Sequence, residues 1–284
     1  MANKLHRLFR IAAISALCAV GALIASSSLG VGTASAAQPL PPPSWDGTYY
    51  ITQPGTYSGD ASCPGIAITQ HCVHLWNPAG ITLEDFSVTT SGTAIQADSN
   101  STIRNGTVVA AGGLTADGKV NVTIDNVTFN TEWAAVALYD SGGGCEGLSS
   151  KRSAHHWIAH STFRSAAGNE TVWIKCSQDI TVEGNYFGTA SQWSLSLPDS
   201  MDASIRGNYF DLWSGPFHWL AIELPRSFNV EIRNNTFTGP FGLWAVWLNS
   251  ATNFVWIDTN CIQGGMFVLL GGFQSGSLAA NWNC

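Results

Sequence analysis

The sequence predicts an all-β chain wound as a single-stranded right-handed parallel β-helix, a solenoid with an N-terminal cap. Three observations predict it. A seven-residue phrase recurs eight times, its second position is always aliphatic, and seven of the phrases are followed by a second apolar strand. A repeat of this length means stacked coils, because one coil cannot bury its own apolar face and a stack can.

The first element is not part of the fold. Lys4, Arg7 and Arg10 precede an apolar stretch from Ile11 to about Ile24, and Ala34-Ser35-Ala36 reads as a small-residue cleavage site. Residues 1–36 are therefore expected to be a secretory signal peptide, and the protein to be secreted. No later segment is long and apolar enough to span a bilayer. Residues 37–47, with four prolines between Gln38 and Ser44, read as a linker. The β-helix is expected over 48–284, with Gly55 and Tyr57 in its cap.

The phrase reads TLEDFSV from Thr82, TIRNGTV from Thr102, TIDNVTF from Thr123 and WIAHSTF from Trp157. It continues as TVEGNYF from Thr181, SIRGNYF from Ser204, EIRNNTF from Glu231 and WIDTNCI from Trp256. The starts lie 20, 21, 34, 24, 23, 27 and 25 residues apart. The aliphatic second residue begins a buried strand. Asn, Gly, Asp or His then bends the chain, since these residues tolerate a left-handed backbone. The seventh residue, Phe in five phrases, re-enters the core. A period above twenty with variable loops argues against the left-handed form, which keeps strict hexapeptides, and no leucine-rich phrase is present. Eight coils at a strand spacing of about 4.8 Å would make a rod of roughly 40 Å. The six Asn-x-Thr triplets, at Asn100, Asn105, Asn121, Asn126, Asn169 and Asn234, read as turn chemistry rather than glycan acceptors. His156 and His160 read as structural for the same reason, and no metal ligand set is assigned.

Loss of 36 residues and three basic side chains leaves 248 residues carrying 9 basic and 19 acidic groups, a net charge of −10. That balance excludes nucleic-acid binding through phosphates and disfavours a polyanionic substrate. Six cysteines remain: Cys63, Cys72, Cys145, Cys176, Cys261 and Cys284. An even count in an exported chain predicts disulfides, and six cysteines allow 15 pairings. The preferred set is Cys63–Cys72, Cys145–Cys176 and Cys261–Cys284, each joining neighbouring coils.

The second strands read TAIQAD, GLTAD, AVALYD, TVWIKC, SLSLPD, AIELPR and AVWLNS. Strand alternation turns Ile95, Leu114, Val136, Val172, Leu195, Ile222 and Val246 inward. It turns Gln96, Thr115, Ala137, Trp173, Ser196, Glu223 and Trp247 outward. The outward face and the turn after it gather Tyr139, Trp173, Lys175, Asp199, Glu223, Arg226 and Trp247. Aromatic faces flanked by charged groups suit a sugar, and a groove along the rod suits a long polymer. The longest insertions, 141–154 and 211–219, hold Trp219 and His218 as further substrate contacts.

The phrase pattern resembles the pectate-lyase-like right-handed β-helix superfamily over nearly all of the mature chain. The resemblance implies a monomeric carbohydrate-active protein whose partner is a polysaccharide or cell-surface glycan. As an enzyme it would be a polysaccharide lyase, with Lys175, Tyr139 and Arg226 as base and charge-stabilising types. It requires no cofactor and admits calcium. The segment VWIKCSQDITVEGNYF resembles a lyase strand in which Trp-Ile precedes Asp-His, whereas Lys175 and Cys176 stand there in this chain. Leu224-Pro225-Arg226 resembles the Pro-Arg element near the lyase base. Two alternatives stand beside the lyase. One is an inverting hydrolase using Glu223 and Asp199, which needs carboxyls about 6.5–9.5 Å apart. The other is a non-catalytic carbohydrate-binding or surface-structural β-helix.

Overall fold

A computed structural model describes residues 36–141, 145, 153–166, 170–188, 192–212, 220–239, 244–248, 252–264, 267–270, 276–279 and 282–283. The expected signal peptide lies outside the described residues except for Ala36, as do Trp219, His218 and Cys284.

The described strands form two sheets, of 17 and 10 strands, and no described residue is helical. Pairing is parallel throughout, for example Thr102–Ala110 with Thr123–Thr131 and Leu220–Leu224 with Trp244–Leu248. The phrases build the larger sheet. Their second residues stack in register from Leu83 through Ile103, Ile124, Ile158, Val182, Ile205 and Ile232 to Ile257. All eight are buried. The seventh residues make a second interior column. Phe129, Phe163, Phe187, Phe210 and Phe237 stack with successive ring centroids 5.4, 5.0, 4.7 and 4.9 Å apart. Full burial of such rings, beside the buried aliphatic columns, is a large apolar gain of the fold.

The fourth phrase residue turns each coil. Asp85, Asn105, Asn126, His160, Gly184, Gly207, Asn234 and Thr259 all have φ between 48° and 64°. A second corner lies two residues before the phrase. Asn100, Asn121, His155, Asp179, Asp202, Asn229 and Phe254 have φ between 52° and 60° there. A third follows the second strand at Cys176, Asp199 and Arg226. Five of the six Asn-x-Thr asparagines are thus left-handed corners, and Asn169 lies outside the described residues.

Inside the first corner runs a buried amide ladder. Asn185, Asn208 and Asn235 each donate from Nδ2 to Oδ1 of the next member, ending at Asn260, at 3.0 Å. Each also donates from its backbone N–H to that same oxygen at 2.9–3.0 Å. The Nδ2 atoms also bond the carbonyls of Ile158, Val182, Ile205 and Ile232. The ladder therefore satisfies its own polar groups and those of the bend.

Gly55 and Tyr57, expected in a cap, lie in strand Gly55–Cys63, which pairs with Ile81–Thr90 as another rung. Gln38–Pro39, in the segment read as a linker, pairs with that rung in turn. Disulfides Cys63–Cys72 and Cys145–Cys176 are present as expected, and Cys261 is disulfide-bonded.

Candidate functional site

The smaller sheet carries the candidate site. The inward residues expected from alternation, Ile95 through Val246, are buried. The outward ones stand in unbroken register: Gln96, Thr115, Ala137, Trp173, Ser196, Glu223, Trp247. Trp173 and Trp247 are half-buried, three rungs or about 14 Å apart. Glu223 lies between them and is 9% exposed.

Tyr139 stacks on Trp173 at 5.5 Å, and Lys175 Nζ sits 5.7 Å from the Trp173 ring centre. Burial, aided by Asp117, pushes the Tyr139 phenol above its usual range. Among the described residues Lys175 has no ion-pair partner, Glu223 included.

Asp199 and Arg226 are brought together, but with each other. Arg226 Nε and Nη2 donate to the two Asp199 carboxylate oxygens, both at 2.6 Å. The cause is the corner geometry: both residues are left-handed, and the Asp199 N–H bonds the Pro225 carbonyl. Each of the two charges is thus engaged by the other in a bidentate, charge-assisted pair.

A carboxyl that the alternation rule passes over joins Glu223 instead. Glu170 begins strand Glu170–Ile174 and pairs in register with Trp193. Burial raises the Glu170 carboxyl, and the charge of Glu223 raises it further. Burial also raises Glu223, while a hydrogen bond from Ser196 Oγ at 2.8 Å works the other way. Ser196 supports the charged form of Glu223, and the charge of Glu223 favours the protonated form of Glu170. Glu170 was missed because alternation makes Thr171 its outward neighbour. In fact Thr171, Ser194, Ala221 and Ala245 are fully buried, and the chain shows its surface at 170 and 173. Trp193 and the exposed Trp244 lie along the same flanking column as Glu170. Four small residues in matching places were the signal available in the sequence.

Cys145, Cys176 and Asp199 are the one trio of metal-ligand types with atoms within 4.8 Å among the described residues. The two sulfurs are joined and the carboxylate is held by Arg226, so the trio does not fit calcium, which takes oxygen ligands. No helix among the described residues is long and apolar enough to cross a membrane.

The chain is similar in structure to a hyperthermoactive exopolygalacturonase from Thermotoga maritima, at 13% identity and TM-score 0.40, over 72% of this chain and 54% of that one. It thus spans about half the length of that enzyme. It is also similar to PfbA, a surface adhesin of Streptococcus pneumoniae, at 12% identity and TM-score 0.37, over 87% and 85% of the two chains. No curated protein sequence matches it. The family model for the right-handed beta helix region matches residues 71–262, which hold all eight phrases entire, and with the stacked rungs above this assigns the chain to the right-handed beta helix family.

Proposed function

We propose that this is a secreted glycan-active protein that holds a linear, uncharged polysaccharide along the outward face of the smaller sheet and hydrolyses it. The observation that carries the reading is that Glu170, in the flanking column on the rung of Trp173, lies within reach of the charge of Glu223, which stands between Trp173 and Trp247 in the outward column. The tryptophans supply stacking faces. Glu170 donates its proton to the glycosidic oxygen as the C–O bond breaks. Glu223, ionised and steadied by Ser196, takes the proton from the attacking water. The net charge of −10 on the mature chain favours an uncharged substrate. The disulfides suit an oxidising, extracellular setting.

A polysaccharide lyase is the second reading, favoured by Lys175 standing free of carboxylates over Trp173. One experiment separates them. Uncharged and uronate polysaccharides are incubated with the protein, and reducing ends and ultraviolet-absorbing unsaturated ends are read separately. The hydrolase gives reducing ends alone, and Glu170→Gln lowers the rate by about 10²–10⁴-fold while binding persists. Unsaturated ends would overturn hydrolysis in favour of the lyase. Binding without either product would leave a non-catalytic module.

A further inference from the structure

The outward column does not stop at Gln96. It continues in register to His74 and Tyr50, at the N-terminal end of the smaller sheet. His74 and Trp76 stack with ring centroids 5.2 Å apart and planes 8° from parallel. Tyr50 lies 5.6 Å from His74 and 6.3 Å from Trp76, and His71 lies 6.3 Å from His74. Trp76 is nevertheless 60% exposed.

The cluster is buttressed. Tyr50 Oη donates to Asp46 Oδ2 at 2.9 Å, and Asp46 Oδ1 accepts from the Thr48 N–H at 3.0 Å and from Ser44 Oγ. These bonds hold the Asp46 carboxyl down to about 2, so it stays ionised and the turn stays tied. That turn presents Trp45, which is 99% exposed. A folded chain does not gain by holding a Trp in water, and a fixed turn that does so offers a contact surface.

The ring faces themselves are uncharged, the ionised Asp46 reaching them only through Tyr50 Oη. Asp98 is paired with Lys119 at 2.8 Å, and burial pushes both His71 and His74 below the usual imidazole range. A stacked aromatic face without net charge suits an uncharged sugar ring. Between this cluster and Trp173 the column holds only Gln96, Thr115 and Ala137, none of them aromatic. The column is therefore without aromatic rings in the middle and aromatic at both ends. His74 lies four rungs from Trp173, about 19 Å along the axis.

We propose that Tyr50, His74 and Trp76, with Trp45 beside them, form a second stacking platform that grips an uncharged linear glycan remote from the Glu170–Glu223 centre. The proposal rests on the glycan reading of the groove. A chain long enough to touch both platforms binds as a bivalent ligand, and one touching a single platform does not.

Affinity electrophoresis in soluble linear β-glucan, glucomannan, arabinan and xylan tests this, with polygalacturonate as the anionic control. Trp76→Ala is expected to weaken retention by the retained uncharged polymer about tenfold, the size of one lost aromatic stack. The Trp173→Ala, Trp247→Ala variant should keep weak binding that Trp76→Ala then abolishes. Trp45→Ala, in a wholly exposed residue, repeats the test without touching the packed rings. Equal retention of wild type and both single variants overturns the second platform and leaves the groove standing. No retention of wild type by any polymer overturns the groove reading and the platform with it. Dimerisation in sedimentation velocity that Trp76→Ala removes would assign the patch to a second copy of the chain, and would also overturn the proposal.

Discussion

His156 shows how much a single side chain can set. It is 1% exposed, its Nε2 meets Ser153 Oγ at 2.6 Å, and its Nδ1 has no partner. Burial therefore keeps it neutral and lowers its pKa from 6.5 to about 4. The unfolded chain binds this proton first as pH falls, so stability drains away between pH 6.5 and about 4 and is fully present above that window. The loss should reach about 3 kcal/mol in urea titrations across the window, and His156→Leu should flatten it. The carboxyl pair predicts a second pH effect. The proposed hydrolysis needs Glu223 ionised and Glu170 protonated, and both pKa values are raised above 4.5, so its optimum is expected above pH 4.5. Ser196→Ala removes the hydrogen bond that lowers Glu223, so the acidic limb of the rate profile should move to higher pH while the basic limb moves less. A profile unchanged in the variant would remove Glu223 from the base role.

At the scale of the rung, the amide ladder and the corners make separate predictions. Asn235→Ala leaves the Asn208 N–H and Nδ2 without their acceptor and the Ile205 carbonyl without its donor. Stranding several buried polar groups should cost about 3 kcal/mol or more, read as a lower urea midpoint. Asn105, an exposed corner at φ 53°, should accept Gly with a change of a few tenths of a kcal/mol. Thr259 is the β-branched exception at that corner, with φ 55°. Thr259→Asn should raise stability by about 1 kcal/mol, because a β-branched side chain is strained there and Asn is not. The corners were legible in the sequence, since Asn, Asp and Gly at a fixed phrase position have a backbone reason to be there. The site was legible only in part. Trp173, Glu223 and Trp247 follow from alternation along a straight strand. Glu170 does not, because two successive residues at the start of the strand, Thr171 and Val172, are both buried. The Arg226–Asp199 pair was equally hidden, since a contact between consecutive turns depends on a register that sequence spacing of 27 residues does not fix.

Over the whole molecule, stability is a sum of rungs and the interfaces between them. Phe210→Ala removes the fourth of the five stacked phenylalanines and should cost about 3–5 kcal/mol. In a solenoid that loss is local, so hydrogen exchange should speed up most in Met201–Arg206 and its neighbouring strands, and least in Thr102–Ala110. Uniform acceleration would mean that the rod unfolds as one cooperative block. The overall winding was legible because each coil repeats one message eight times, whereas the cap was not, the residues assigned to it being an ordinary rung. The left-handed corners carry a further consequence for how such a molecule can change. Each bend is set by the φ of one residue rather than by a fit between distant surfaces. A coil copied in tandem would bring its own bends with it and meet neighbours of the same outline above and below. The gene could therefore lengthen or shorten by whole turns while the remaining turns keep their shape, and the reach of the protein along a polymer would change in steps of one strand spacing.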